Sequence, residues 1–178
     1  MPDAITVLTT DHRTVQTLFS QVEGKASPEA EVVDKIVKEL SIHDAIEKQY
    51  LYPLVRDKVS GGNGMADHSI EEHDKVAETL LAIDKAERAS AEQAQLLTEL
   101  IRMVTSHIRE EEQDIFPAMR TSMGQTELDE LGSTLEGAKK TAPTRPHPHA
   151  PSEGLGTKLA GAVSAPLDKA RDAASGRS

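Results

Sequence analysis

The sequence predicts an all-α protein: an up-down-up-down antiparallel four-helix bundle with a short fifth helix and a flexible C-terminal tail. Three observations carry that prediction. Apolar residues recur at steps of three and four along four separate stretches. The breaks between those stretches are short and marked by Gly, Pro and Ser, which favours antiparallel neighbours. A set of ionisable residues also repeats in matched order along the two halves of the chain. No β-branched alternation flanks a hairpin turn, so strands are not expected.

The first stripe is Ile5, Leu8, His12, Val15, Phe19 and Val22, ending near Gly24. Ser27-Pro28 reads as the next start, with Ser as N-cap and Pro at the first helical position. The stripe Val32, Ile36, Leu40, His43, Glu47, Tyr50 and Leu54 then runs to Gly61-Gly62. A third helix is expected from near Met65, carrying His73, Val76, Leu80 and Ile83. Ser90-Ala-Glu-Gln93 is a capping box. It opens a fourth helix with Leu97, Leu100, Val104, His107 and Glu111 on one face, ending before Gly124. Thr126 to about Lys140 reads as the short fifth helix, closing a domain over residues 1–140.

From residue 141 to 178 the chain reads as a Pro-, Ala- and Gly-rich tail, largely disordered or weakly helical. Its first part, residues 141–152, is a Pro-rich linker expected to be extended or disordered. The remainder holds a weak stripe of Leu155, Leu159, Val163, Leu167 and Ala170, interrupted by Pro166, which could meet a partner weakly.

Composition excludes several function classes. The chain has 178 residues, enough to bury a real core, and a net charge of −10. That charge repels phosphate backbones, and Phe19, Tyr50, Tyr52 and Phe116 are too few for a stacking platform, so no nucleic-acid partner is expected. The absence of Cys removes disulfides, iron–sulfur clusters and thiolate metal sites, leaving nitrogen and oxygen to hold any metal. No basic-then-apolar leader and no membrane-length apolar run is present, so a cytoplasmic location away from membranes is expected.

The repeated set is His12, His43-x-x-x-Glu47, then His73, His107-x-x-x-Glu111. His12 and His73 lie 61 residues apart and His43 and His107 lie 64 apart, as two similar helical hairpins would place them. Leu51-Tyr52-Pro53 and Ile115-Phe116-Pro117 follow at equal offsets. Residues four apart on a helix differ by about 40° and one turn, so each His and Glu can reach one cavity. A lone His on an apolar stripe is more often a packed residue than a ligand. Four His and two Glu on the buried stripes of four helices are different, because bare ionisable groups there are costly. Four imidazoles and two carboxylates suit iron, manganese or zinc, and six protein ligands suit two ions better than one. The Glu-x-x-His spacing of ferritin-like sites does not occur.

Over about residues 1–120 this ligand order resembles the hemerythrin-like proteins of the HHE cation-binding family, and the tail is similar to those of actinobacterial members. The resemblance implies two non-haem iron ions with an oxo or hydroxo bridge. His12, His43, His73 and His107 would be terminal ligands, with Glu47 and Glu111 bridging. Oxygen-carrying hemerythrins have a further His where this chain has Ser69. The candidates to replace it, or to stand behind the ligands, are Tyr50, seven residues after His43, and His68, which a five-residue step from His73 turns off the face. Asp114 is the repeat mate of Tyr50. His147 and His149, in the linker, have nothing converging on them. Pro53 and Pro117 are expected to kink or end their helices near the site.

The resemblance implies binding of, and reaction with, dioxygen or hydrogen peroxide, and the lost imidazole favours catalase-like peroxide turnover over reversible oxygen carriage. No catalytic group is expected beyond the metal ligands. The alternatives are an oxygen, nitric oxide or iron sensor or carrier without turnover, and an iron donor for iron–sulfur repair.

Overall fold

A computed structural model describes residues 2–150 and residue 168. Its helices are α1 (Ala4–Val22), α2 (Ala30–Ile46), α3 (Tyr52–Lys58), α4 (Gly62–Lys85), α5 (Ala91–Glu110), α6 (Phe116–Ser122) and α7 (Gln125–Lys139). No strand occurs among the described residues. Two π-helical turns, Glu47–Leu51 and Glu111–Ile115, join α2 to α3 and α5 to α6, so each pair is one bent rod. Four rods make the bundle, and α7 is the expected fifth helix, packed mainly on α1.

The caps agree with local chemistry at two helices. The Asp3 carboxylate accepts from the Thr6 N–H at 2.7 Å, and the Ser90 hydroxyl accepts from the Gln93 N–H at 3.1 Å. Gln93 reaches back to the Ala89 N–H rather than that of Ser90, a variant of the expected box. Two boundaries differ from expectation. The second helix begins at Ala30 without a side-chain cap, so Ser27-Pro28 belongs to the preceding turn. The third begins at Gly62, where Gly61 turns the chain with a φ of 74°. A Cβ on Gly62 would lie 1.9 Å from the Val55 carbonyl oxygen, so glycine permits α4 to start hard against α3.

The core forms two apolar clusters, stacked along the bundle. One gathers Leu8, Ile46, Leu51, Val55, Ala66, Ile115, Met119 and Leu135. The other gathers Val15, Phe19, Ile36, Leu40, Val76, Leu80, Leu100 and Val104. The clusters take opposite halves of the four rods, with the chain direction alternating, as the up-down-up-down topology requires.

The linker is non-helical, as expected, but it is packed rather than free. Ala142, Thr144 and Arg145 are buried. Arg145 Nη1 donates to both carboxylate oxygens of Asp84 at 2.7 and 2.8 Å. The His149 N–H donates to Asp74, and His149 Nε2 lies 3.0 Å from Glu78 Oε1. His147 Nε2 meets Asp168 Oδ2 at 2.9 Å. The linker's many polar groups find partners along α4, which explains its order without helix or strand. The weak stripe from Leu155 to Ala170 lies outside the described residues. Among the described residues no helix is long and apolar enough to cross a membrane.

Candidate metal centre

Between the two apolar clusters lies a polar layer. His12 sits between Leu8 and Val15 on α1, His43 and Glu47 follow Leu40, His73 precedes Val76, and His107 and Glu111 lie between Val104 and Ile115. All six are buried, with Glu47 and Glu111 at 0% exposure. Six ionisable groups walled by apolar side chains on both sides need a compensating partner.

Their donor atoms fall into two groups, His12, His43, Glu47 and Glu111, and Glu47, His73, His107 and Glu111, each able to hold a metal ion. Both carboxylates belong to both groups. Neighbouring donors lie close: His12 Nε2 is 3.3 Å from Glu111 Oε2, His43 Nε2 3.2 Å from Glu47 Oε2, and His73 Nε2 3.1 Å from Glu47 Oε2. His73 Nε2 and His107 Nε2 are 2.9 Å apart. Yet His12 Nε2, Glu47 Oε1 and Glu111 Oε2 make no hydrogen bond. Ligand atoms about 2.1 Å from one ion and at right angles lie about 3.0 Å apart, so these spacings fit a coordination shell.

The electrostatics agree. Burial pushes the Glu47 carboxyl well above its ordinary value, and the charge of Glu111 adds to it. At Glu111 burial acts the same way, but His107, His12 and His43 outweigh it and hold that carboxyl down. A cation between the two carboxylates would relieve their repulsion and favour the deprotonated form of Glu47. Burial, then the nearby His12, drives His43 well down, keeping its imidazole neutral.

A ring of carboxylates aims the imidazoles. Nδ1 of His12 meets Glu112 at 2.9 Å, Nδ1 of His73 meets Asp44 at 2.9 Å, and Nδ1 of His107 meets Glu72 at 2.8 Å. Each contact fixes the ring and leaves Nε2 facing inward. Asp44 is held in turn by Lys48, whose Nζ lies 2.8 Å from Asp44 and 2.8 Å from Asp74. Burial alone would lower the Lys48 ammonium, but Asp44 and Asp74 outweigh it and raise it above its ordinary value. Its stabilisation is therefore present below the unfolded value and lost as the solution passes the raised one. Replacing Lys48 by Met should cost about 3–5 kcal/mol, because two partly buried carboxylates lose their cation. Urea unfolding of the metal-free chain at neutral pH checks this, and a loss below about 1 kcal/mol would contradict it.

The phenol near the centre is Tyr52, not Tyr50. The Tyr52 hydroxyl lies 2.7 Å from His73 Nε2, and donates to Glu111 Oε1 at 3.0 Å or Glu47 Oε2 at 3.2 Å. Tyr50 is half-buried against the apolar cluster of Leu8 and Leu51 and belongs to neither donor group. The π-turn causes the exchange. Pro53 has no N–H, and its ring would collide with the carbonyl of Gln49 in a regular helix. The ladder slips by one residue, so the Tyr52 N–H bonds the Glu47 carbonyl, and Pro117 does the same for Phe116 and Glu111. Tyr52 thereby turns onto the ligand face, and Phe116, its repeat mate, stacks on His12 at 5.7 Å. The matched Leu-Tyr-Pro and Ile-Phe-Pro segments were the available sequence signal. Neither proline ends its helix; both are inside continuous rods. His68 lies off the centre, exposed, and 3.2 Å from Glu110. Ser69 is buried in α4 one turn before His73.

A small cavity adjoins the imidazoles, roofed by Val15, Leu40, Val76, Val104 and Ile108. It offers the centre of a water-sized molecule about 20 Å³. About 10–15 Å³ admits one water, so the space suits a molecule of one or two heavy atoms.

Known proteins are similar to this chain. The hemerythrin HHE cation binding domain matches residues 3–119. A hemerythrin-like protein of Schizosaccharomyces pombe is 30% identical over 91% of this chain and 81% of its own length. A DNA nickase of Nostoc is 26% identical over 75% of this chain, which spans only 38% of that protein. The crystal structure of a hemerythrin HHE cation binding domain-containing protein from Mycobacterium kansasii superposes with a TM-score of 0.67 at 23% identity. It covers 79% of this chain and 86% of its own, and shows the same fold. Through its matched residues and its bundle, this chain belongs to the hemerythrin HHE cation-binding family.

Proposed function

We propose that the buried layer holds two iron ions and that the loaded protein disproportionates hydrogen peroxide. His12 and His43 serve one ion, His73 and His107 the other, and Glu47 and Glu111 are shared. Tyr52 is a further oxygen donor on the His73 side. The observation that carries this reading is the membership of both buried carboxylates in both donor groups. Two ions sharing carboxylates sit close enough to act on one small molecule.

Iron, when bound, supplies a pair of ions that pass between ferrous and ferric states, exchanging two electrons with one peroxide at a time. The chain's own residues do the rest. The carboxylates on Nδ1 hold the imidazoles in place, and the five aliphatic side chains exclude bulk water and all but the smallest substrates. Ser69 supplies no imidazole where oxygen carriers have one, which favours turnover over reversible carriage. The balance is two peroxides to one dioxygen and two waters.

The test is oxygen release measured at an electrode when hydrogen peroxide meets the iron-loaded protein. Many dioxygen molecules per chain are expected. A stable, reversible dioxygen adduct without turnover would overturn the reading.

One observation favours a second reading, a sensor of dioxygen, nitric oxide or iron. The packed linker reaches the centre through His149, Asp74, Lys48, Asp44 and His73 in succession. If the linker reports the metal's state, a chain ending at Lys140 should show an altered iron spectrum; an unchanged one would remove this reading. Burial of all six ligands argues against a labile iron donor.

A further inference from the structure

A third His-x-x-x-Glu pair lies outside the buried layer. His68 and Glu72 on α4 have the spacing of His43 and Glu47, and Glu110 of α5 faces them. His68 Nε2 is 3.2 Å from Glu110 Oε2 and 3.6 Å from Glu72 Oε1. One donor atom from each residue lies within 4.8 Å of the others. The three are 61%, 21% and 38% exposed, so an ion can reach them without the bundle opening.

Exposed imidazole–carboxylate pairs are common and contribute little. This group differs in how its carboxylates are fixed. Glu72 uses its other oxygen, Oε2, to hold His107 Nδ1 at 2.8 Å. The Ser106 hydroxyl donates to Glu110 Oε1 at 3.2 Å. Each carboxylate is thus anchored through one oxygen and turns the other toward the same ring nitrogen. Such anchoring is what orients ligands in metal sites.

We propose that His68, Glu72 and Glu110 bind a divalent transition-metal ion at the surface, with water completing its shell. One nitrogen and two oxygens suit Zn²⁺, Mn²⁺ or Fe²⁺. The site lies outside the buried pair, and its existence does not depend on what that pair holds.

The test is calorimetric titration of the full chain with Zn²⁺, metal-free and again after iron loading, for the native sequence, His68→Ala and Glu110→Gln. The native chain is expected to bind one more equivalent than either variant in both states. Equal stoichiometry and equal heats in all three would overturn the proposal. Should His68→Ala fail to melt like the native chain, Glu110→Gln carries the comparison alone. A chain that takes up no iron yet shows the difference would overturn the buried-iron reading and leave this one standing.

Discussion

Replacing either Glu47 or Glu111 by Gln is expected to empty both metal positions, not one. Each carboxylate contributes to both donor groups, so neither ion has an independent ligand set. An amide offers a neutral, weaker donor, and the ions would lose a charge in a layer from which water is excluded. Losing a supporting contact behind a metal ligand costs about 10–100-fold in affinity, and losing the ligand itself should cost more than that upper figure. Iron per chain after gel filtration should fall from two to well below one. In Glu47→Gln the scaffold should not fall with it. Burial already penalises the charged form of Glu47, so Gln at that position relieves a cost in the metal-free chain. Metal-free Glu47→Gln should therefore unfold at the same or higher urea concentration than the native chain. A variant that folds and still keeps one iron firmly would show that the carboxylates are not shared.

The second large effect belongs to Tyr52. In the metal-free protein burial, then the charges of Glu111 and Glu47, pushes its phenol well above the ordinary value. A cation at the same spot reverses the sign of that field and favours the phenolate. The ferric protein should then show a broad visible absorption from phenolate to iron. Tyr52→Phe should abolish it, while Tyr50→Phe should leave it unchanged, because Tyr50 packs into the apolar cluster. Packing survives the substitution, since Phe116 already fills the matching position of the other half. Persistence of the band in Tyr52→Phe would show that the phenol is not a ligand.

The bundle and the six converging side chains were legible because they obey helical periodicity. His12, His43, His73 and His107 lie where a regular helix carries the apolar stripe, so their shared layer follows from counting. Tyr52 was not legible by the same count. A π-turn adds a residue to the helical repeat, and the expectation for Tyr50 assumed that none had been added. The proline that forces the slip was visible, but a missing N–H predicts a break as readily as a bulge. The supporting carboxylates Asp44, Glu72 and Glu112 were also hidden, because all three of their imidazole contacts depend on packing between helices. The linker's contacts were hidden for a related reason: its prolines predicted an extended or disordered segment, while Arg145 and His149 hold it through charges on α4.

Each donor group draws three ligands from one hairpin and a single glutamate from the other. Neither half of the duplication can therefore close a site unaided. An ion that binds only the assembled bundle, present at about a thousand times its dissociation constant, adds about 4 kcal/mol to the cohesion of the two halves. The loaded and metal-starved chains thus differ in lifetime as well as in chemistry. Proteases that sample the opened form will degrade the starved chain first, and the amount of protein surviving becomes a record of metal supply.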